Sequence, residues 1–204
     1  MKLTNLNHQR KGFTILELLI AMGVFSFVLL LVTVVIIGIG NLYSKGINLS
    51  RTQDAVRNIV GDISQNLSYT SSNPITDSSG DVTAICVGDV RYTYVLDHRI
   101  GDNDGYLHIF WKDKLVTYGS CSVADLKIPN PSNSTGGVVG SGTELMPSNT
   151  RLYKFTYTTS SPYRIRVTLA YGQISSSPLG QCLGNTANQY CAVSTLTTTV
   201  VKRL

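Results

Sequence analysis

Hydrophobic side chains follow three rhythms along this chain. Over residues 13–40 they are nearly continuous: Glu17 is the only charged residue, and the few other polar side chains are Thr14, Ser26 and Thr33. At ~1.5 Å per residue a helix of that length reaches roughly 40 Å, against a hydrocarbon core of ~30 Å, so the stretch predicts a membrane-spanning helix. Over 41–72 the rhythm changes to threes and fours. Leu42, Leu49, Val56 and Ile63 recur at sevens and Ile59, Val60 and Leu67 fill the gaps, with Arg51, Asp54, Arg57 and Asp62 mostly on the other side. This predicts an amphipathic continuation of the helix whose apolar stripe covers a sheet. Gly38, Gly40 and Gly46 weaken the junction and predict a kink or a locally melted segment. The stretch "SSNPITDSSG" ends the helix near Ser71 and turns the chain into a loop.

From residue 73 onward the rhythm is alternation. Residues 91–97 put Tyr92, Tyr94 and Leu96 on one face, and 106–112 with 115–118 flank a short turn at Asp113, predicting a hairpin. Tyr153, Phe155 and Tyr157 alternate with Leu152, Lys154 and Thr156. After "TTSSP", Ile165, Val167 and Leu169 stand opposite Arg164, Arg166 and Thr168, and a Thr- and Val-rich last strand spans 195–202. The stretch "IPNPSNSTGGVVGSGTELMPSNT" predicts a long exposed loop. One-sided strands beside an amphipathic helix predict the α+β class: a long N-terminal helix packed on a C-terminal antiparallel sheet. The organisation is then a polar leader (1–12), a hydrophobic helix (13–40), its amphipathic continuation (41–72) and a β-rich globular part (73–204).

Charge is informative mainly at the start. The leader carries Lys2, Arg10 and Lys11, which hold it on the cytoplasmic side and place everything after Gly40 outside. Losing those three residues would take the formal net charge from +5 to +2. That near-neutral balance gives no strong reason to expect a nucleic-acid partner, although Lys202, Arg203, Arg164 and Arg166 could form a small basic patch. A secretory signal is cut after its apolar region; here the basic stretch ends in Gly12 directly before it, so a cut after Gly12 discards only the leader and keeps the helix. Glu17 is costly inside a membrane and asks for a partner. A new ammonium on Phe13 would lie four residues away on the same helix face, and an acid in the first turn complements the helix dipole. The competing reading is an uncleaved single-pass anchor with an incidental glutamate.

The four cysteines, Cys86, Cys121, Cys182 and Cys191, all follow the apolar stretch, where disulfides persist. Three pairings are possible, and the favoured one joins Cys86 to Cys121 and Cys182 to Cys191, the latter closing a short loop before the last strand. No C-x-x-C occurs and neither His98 nor His108 lies beside a cysteine pair, so no zinc or other metal site is expected.

The stretch "KGFTILELLIAM" resembles the N-terminus of type IV prepilins and of type II secretion pseudopilins. The resemblance implies that prepilin peptidase cuts between Gly12 and Phe13 and methylates the new Phe13 terminus. It implies too that Glu17, the fifth mature residue, pairs with a neighbouring subunit's amine during assembly. "RTQDAVRNIVGDISQNL" and the ending "CLGNTANQYCAVSTLTTTVVKRL" are more weakly similar to PilW-type minor pilins and, more distantly, to J-type minor pseudopilins. The expected protein is a minor type IV pilin that initiates assembly or displays a tip surface. Its partners would be other pilin subunits through helix–helix packing, prepilin peptidase, the inner-membrane assembly platform, and a surface, cell or DNA ligand. It would sit in the cytoplasmic membrane with its C-terminal part outside, then in an extracellular filament. The alternatives are a type II secretion pseudopilin and a pilin-stem adhesin or DNA-binding module.

Catalysis is not expected. "GGVVGSG" lacks the Lys-Ser/Thr of a phosphate loop and no G-x-S-x-G occurs. His8 leaves with the leader, and His98 and His108 have no accompanying nucleophile motif, so both read as surface residues. "IGDNDG" resembles a calcium loop through Asp102, Asn103 and Asp104, but Ile100 occupies the first ligand position and Trp111 the last, so a polar loop is the better reading. The tyrosine-rich strands read as a packed sheet face in preference to a ligand platform. No cofactor is implied.

Overall fold

A computed structural model describes residues 12–100, 102–115, 120–131, 142–172, 182 and 191–203. The chain divides into two compact units, Met1–Tyr43 and Ser44–Leu204. Among the described residues one long helix, α1 (Ile15–Tyr69), is followed by eight strands, all paired antiparallel, so the protein is α+β with a long N-terminal apolar helix.

In the first unit, residues 12–43 are all exposed, Phe13 at 86% and Leu30 at 68%. An apolar window within α1 reaches a mean hydropathy of 3.0, and by length and composition this helix can cross a membrane. Gly38 and Gly40, expected to melt the junction, are helical, and so is Gly46 in the second unit.

The second unit contains two sheets. Strands β1 (Ile75–Ser79), β2 (Val82–Val87), β3 (Val90–Val95), β4 (Phe110–Lys114) and β5 (Thr143–Glu144) form the first in that order; β6 (Thr150–Tyr157), β7 (Tyr163–Tyr171) and β8 (Ala192–Val200) form the second. Val56, Ile59, Val60, Ile63 and Leu67 of α1 share a core with Tyr92, Tyr94 and Phe110 of the first sheet and with Phe155, Ile165, Val167 and Leu169 of the second. The Tyr94 and Phe155 rings, 4.9 Å apart between centroids, join the two sheets. The stripe begins later than expected: Leu42 is 73% exposed and Leu49 37%, and Thr52 takes a core position by donating its hydroxyl to the Asn48 carbonyl at 2.7 Å.

Several strand expectations require correction. Asp113 is not a hairpin turn. It lies inside β4, which pairs with β3, because its carboxylate is bound by the fully buried Arg91 across the ladder. Of the proposed second hairpin strand, residues 116–118 lie outside the described residues. Strand β3 is not one-sided: all six residues are buried, and Leu96, beyond its end, is 41% exposed. Residues 120–131 explain this by covering the face that α1 leaves free. Arg91 donates to the Ser122 carbonyl at 2.9 Å, and the Ala124 N–H donates to the Thr93 hydroxyl at 3.3 Å. The single sheet is two sheets, and β1 occupies part of the predicted 71–80 loop. A bulge between Leu152 and Lys154 shifts the register of β6, so Leu152 and Phe155 both face inward. The predicted long loop contains β5 and a buried Met146; its residues 132–141 lie outside the described residues.

Beyond β8 the chain is fastened to the end of α1. The Lys202 ammonium donates to the Ser71 and Ser72 carbonyls, both at 2.9 Å, and to Asn73 Oδ1 at 3.0 Å, using all three of its protons. The last turn of α1 has no basic side chain of its own, so Lys202 supplies the positive charge that its carbonyls favour. It is therefore withdrawn from the basic patch expected around Arg164 and Arg166.

Candidate functional site

The start of α1 explains the lone acid. Thr14 immediately precedes the first helical residue, Ile15, and Glu17 lies three residues further on. The Thr14 hydroxyl accepts the Glu17 N–H at 3.2 Å. Glu17 Oε2 in turn accepts the Thr14 N–H at 2.9 Å and its hydroxyl at 3.0 Å. This reciprocal capping box satisfies two of the amide protons that a helix start leaves unpaired, and it puts negative charge where the helix dipole favours it. The T-x-x-E signature is legible in "TILE", although the sequence reading of Glu17 went no further than ion pairing and the helix dipole. Gly12 stands beside this cap with open space where a Cβ would sit. Among the described residues nothing packs close enough to require glycine there.

The four cysteines are joined as Cys86–Cys121 and Cys182–Cys191, with Cα separations of 5.7 and 5.4 Å. Cys121 anchors residues 120–131 to β2, and Asp77 of β1 reinforces it by accepting the Val123 N–H at 3.2 Å. The short loop between Cys182 and Cys191 lies outside the described residues.

The candidate calcium ligands have other partners. Asp102 Oδ1 accepts from Arg99 at 2.7 Å and Asp102 Oδ2 from Arg151 at 3.1 Å, while Asp104 pairs with His98 and accepts the Tyr106 N–H at 3.1 Å. Burial pushes the Asp104 carboxyl up, but the His98 and Tyr106 hydrogen bonds outweigh it and hold the group below its usual range. Carboxylates already committed to guanidinium and imidazole groups make a structural loop. No group of three or more metal-type side chains occurs among the described residues.

The histidines are not free surface groups. His98 pairs with Asp104, and His108, with its side chain only 16% exposed, lies 3.3 Å from Glu144 Oε2 and 3.4 Å from the Pro129 carbonyl. Glu144 also accepts the N–H groups of Ile109, Phe110 and Met146 at 3.0, 3.0 and 2.9 Å. Asp62, expected to face away, accepts Lys112 at 2.6 Å and the Tyr92 hydroxyl at 2.7 Å, which ties α1 to the first sheet. Burial, then the Asp62 carboxylate, pushes the Tyr92 phenol upward.

The prokaryotic N-terminal methylation motif, as a family model, matches residues 7–33 of this chain. No curated protein and no solved structure matches the chain. The matched stretch runs from the basic leader through the Gly12–Phe13 junction and the Thr14–Glu17 cap into the apolar helix. It supports a type IV pilin-like or pseudopilin-like protein, and it implies processing by prepilin peptidase and assembly into pilus-type filaments. With the exposed apolar helix it fits an inner-membrane anchor.

Proposed function

We propose that this chain is a minor type IV pilin, a structural and non-catalytic subunit that is cut after Gly12, methylated at Phe13 and assembled through its apolar helix. In this role it helps initiate the filament or presents a tip surface. The observation that carries this reading is the junction of an open Gly12, an acid-capped helix start and a helix exposed over residues 12–43. An apolar surface of that extent needs lipid or equivalent helices around it. A type II secretion minor pseudopilin shares all of these features, and a secretion defect on deletion would distinguish it.

Glu17 has two tasks in this reading: it caps its own helix in the free subunit, and it offers a carboxylate to a neighbour's methylated ammonium during assembly. Substitutions separate them. Glu17→Gln keeps a capping side chain and removes the charge, whereas Thr14→Ala removes half of the cap and keeps the charge. We expect Glu17→Gln to be processed normally and left out of sheared filaments, with Thr14→Ala incorporated. Normal incorporation of Glu17→Gln would sink the charge-pairing role. Mass spectrometry of the N-terminal peptide in the filament fraction tests the whole reading: a methylated Phe13 terminus is expected, and an intact leader there would overturn it.

A further inference from the structure

The sheet edges of this molecule are not protected alike. On the outer side of β1, which has only five residues, the Cys121 sulfur lies 3.5 Å from the Ile75 carbonyl and the Val123 N–H donates to Asp77. Strand β5 has only two residues. Along β6 a bulge breaks the register between Leu152 and Lys154, and the Asp97 N–H donates to the Leu152 carbonyl at 2.9 Å beside the Arg99–Arg151 bridge. Strand β8 has none of these devices. Its nine residues, AVSTLTTTV, include no charge, proline or glycine, and they pair with β7 without a register shift. Among the described residues nothing pairs with its other side. Alternate residues of β8 therefore turn their N–H and C=O groups to an open edge, and a long, flat, uncharged edge is a template for another strand.

We propose that β8 takes on an extended strand from another protein, one with carboxylates on its outward face and apolar side chains on its inward face. Outward, Arg164 faces Thr199 and Arg166 faces Thr197; both arginines are exposed, and no acidic residue among the described ones forms an ion pair with either. A strand added to β8 lies two strand spacings, about 10 Å, from β7. An arginine and a glutamate extended toward each other over the small threonines between them cover that distance. Inward, Leu196 packs against the core yet is only half-buried, as are Ser194 and Thr198 beside it, so an apolar side chain on the added strand would complete its cover. Main-chain hydrogen bonds supply the affinity in such an addition, and the two faces select the partner. At the other end Thr168 and Ala170 are buried beside Cys182 and Cys191, which leaves residues 195–200 of β8 as the part engaged. A second copy fits less well, since its β8 would bring no carboxylate to the arginines. The edge lies within the unit Ser44–Leu204, so the inference stands independently of whether the helix assembles into a filament.

The test uses the full chain in detergent micelles and a fluorescent peptide that alternates glutamate and valine and matches β8 in length. Anisotropy should show that this peptide binds and that the same residues in scrambled order do not. Methylating one alternate set of the peptide's amide nitrogens should abolish binding, and methylating the other set should leave it intact, because an added strand pairs along a single edge. The double variant Arg164→Ala/Arg166→Ala should weaken binding roughly three- to tenfold at low salt and less at high salt. Thr197→Glu, which sets a carboxylate between Arg166 and the added strand, should weaken it too, and Arg57→Ala, which removes an exposed cation from α1, should leave it unchanged. The methylation arm alters only the peptide and decides the matter even where a variant fails to fold. Polyglutamate binding as tightly as the alternating peptide would overturn the proposal by reducing the face to a charged patch, and so would tolerance of both methylation patterns. Sedimentation of the free chain should show a monomer; a dimer that Thr197→Glu dissociates would assign the edge to a second copy and overturn the proposal.

Discussion

The two sheets handle charge in opposite ways, and the difference follows from what covers them. The first sheet has α1 on one face and residues 120–131 on the other. Among the described residues the charges drawn between those layers have partners: Arg91 with Asp113 and Lys112 with Asp62, and the Glu144 carboxylate has the His108 ring beside it. The second sheet is covered along its whole length on one face; on the other Thr168 and Ala170 are buried beside Cys182 and Cys191, while Lys154, Arg164 and Arg166 stand exposed. A covered charge must be paired because desolvation is costly, whereas a solvated one is left available to an outside partner.

The largest break in this contrast should come from Asp113→Ala. It takes the carboxylate from the Arg91 guanidinium at 0% exposure, and removing one partner of a buried pair costs about 3–5 kcal/mol by urea denaturation. The double variant Arg91→Met/Asp113→Leu should recover most of that loss; failure to recover would show that the pair, not merely its completeness, holds the sheet. Replacing Cys86 and Cys121 by serine removes a crosslink spanning 35 residues and should cost roughly 3–4 kcal/mol. Gly142→Ala is next, at about 1–3 kcal/mol, since a Cβ there would overlap the Trp111 indole beside β5. On the open sheet, each of Lys154→Ala, Arg164→Ala and Arg166→Ala should stay within about 0.5 kcal/mol of the parent. A larger loss would mean that this face is covered after all. The smallest effect concerns acid. The Asp104 carboxyl is held below the usual aspartate range, so its pairing contributes stability that is present above the ordinary value and is lost as pH falls through the lowered one. Asp104→Asn should therefore be slightly less stable than the parent at neutral pH and equal to it in strong acid.

How much of this was legible depended on whether the signal was local. The apolar helix and its acid announce themselves within one stretch, and Tyr163, Ile165 and Val167 alternate cleanly with Arg164 and Arg166 because that half of β7 has one exposed face. Strand β3 was misread for the opposite reason: Arg91 and Thr93 look like solvent-facing residues, and only a distant segment, 120–131, buries them. Asp113 looked like a turn because its partner, Arg91, lies 22 residues away. The β6 bulge reverses the facing of Leu152, which no two-residue period can express. Of the candidate site, residue identities were legible, but the cap linking Thr14 to Glu17 was overlooked although its spacing was in view.

Both ends of the 132–141 stretch are moored to a single short segment. Leu107 and His108 donate their N–H groups to the Leu126 carbonyl at 3.0 and 3.1 Å, before the stretch. After it, Glu144 receives Ile109 and Phe110, and Leu145 donates to the Phe110 carbonyl at 2.9 Å. Doubling the length of a connection adds only about 0.6 kcal/mol of closure cost. A change of length confined to residues 132–141 should therefore cost the fold little, because the hydrogen bonds on either side of that span, not its length, hold Leu126 and Glu144 to the 107–110 segment.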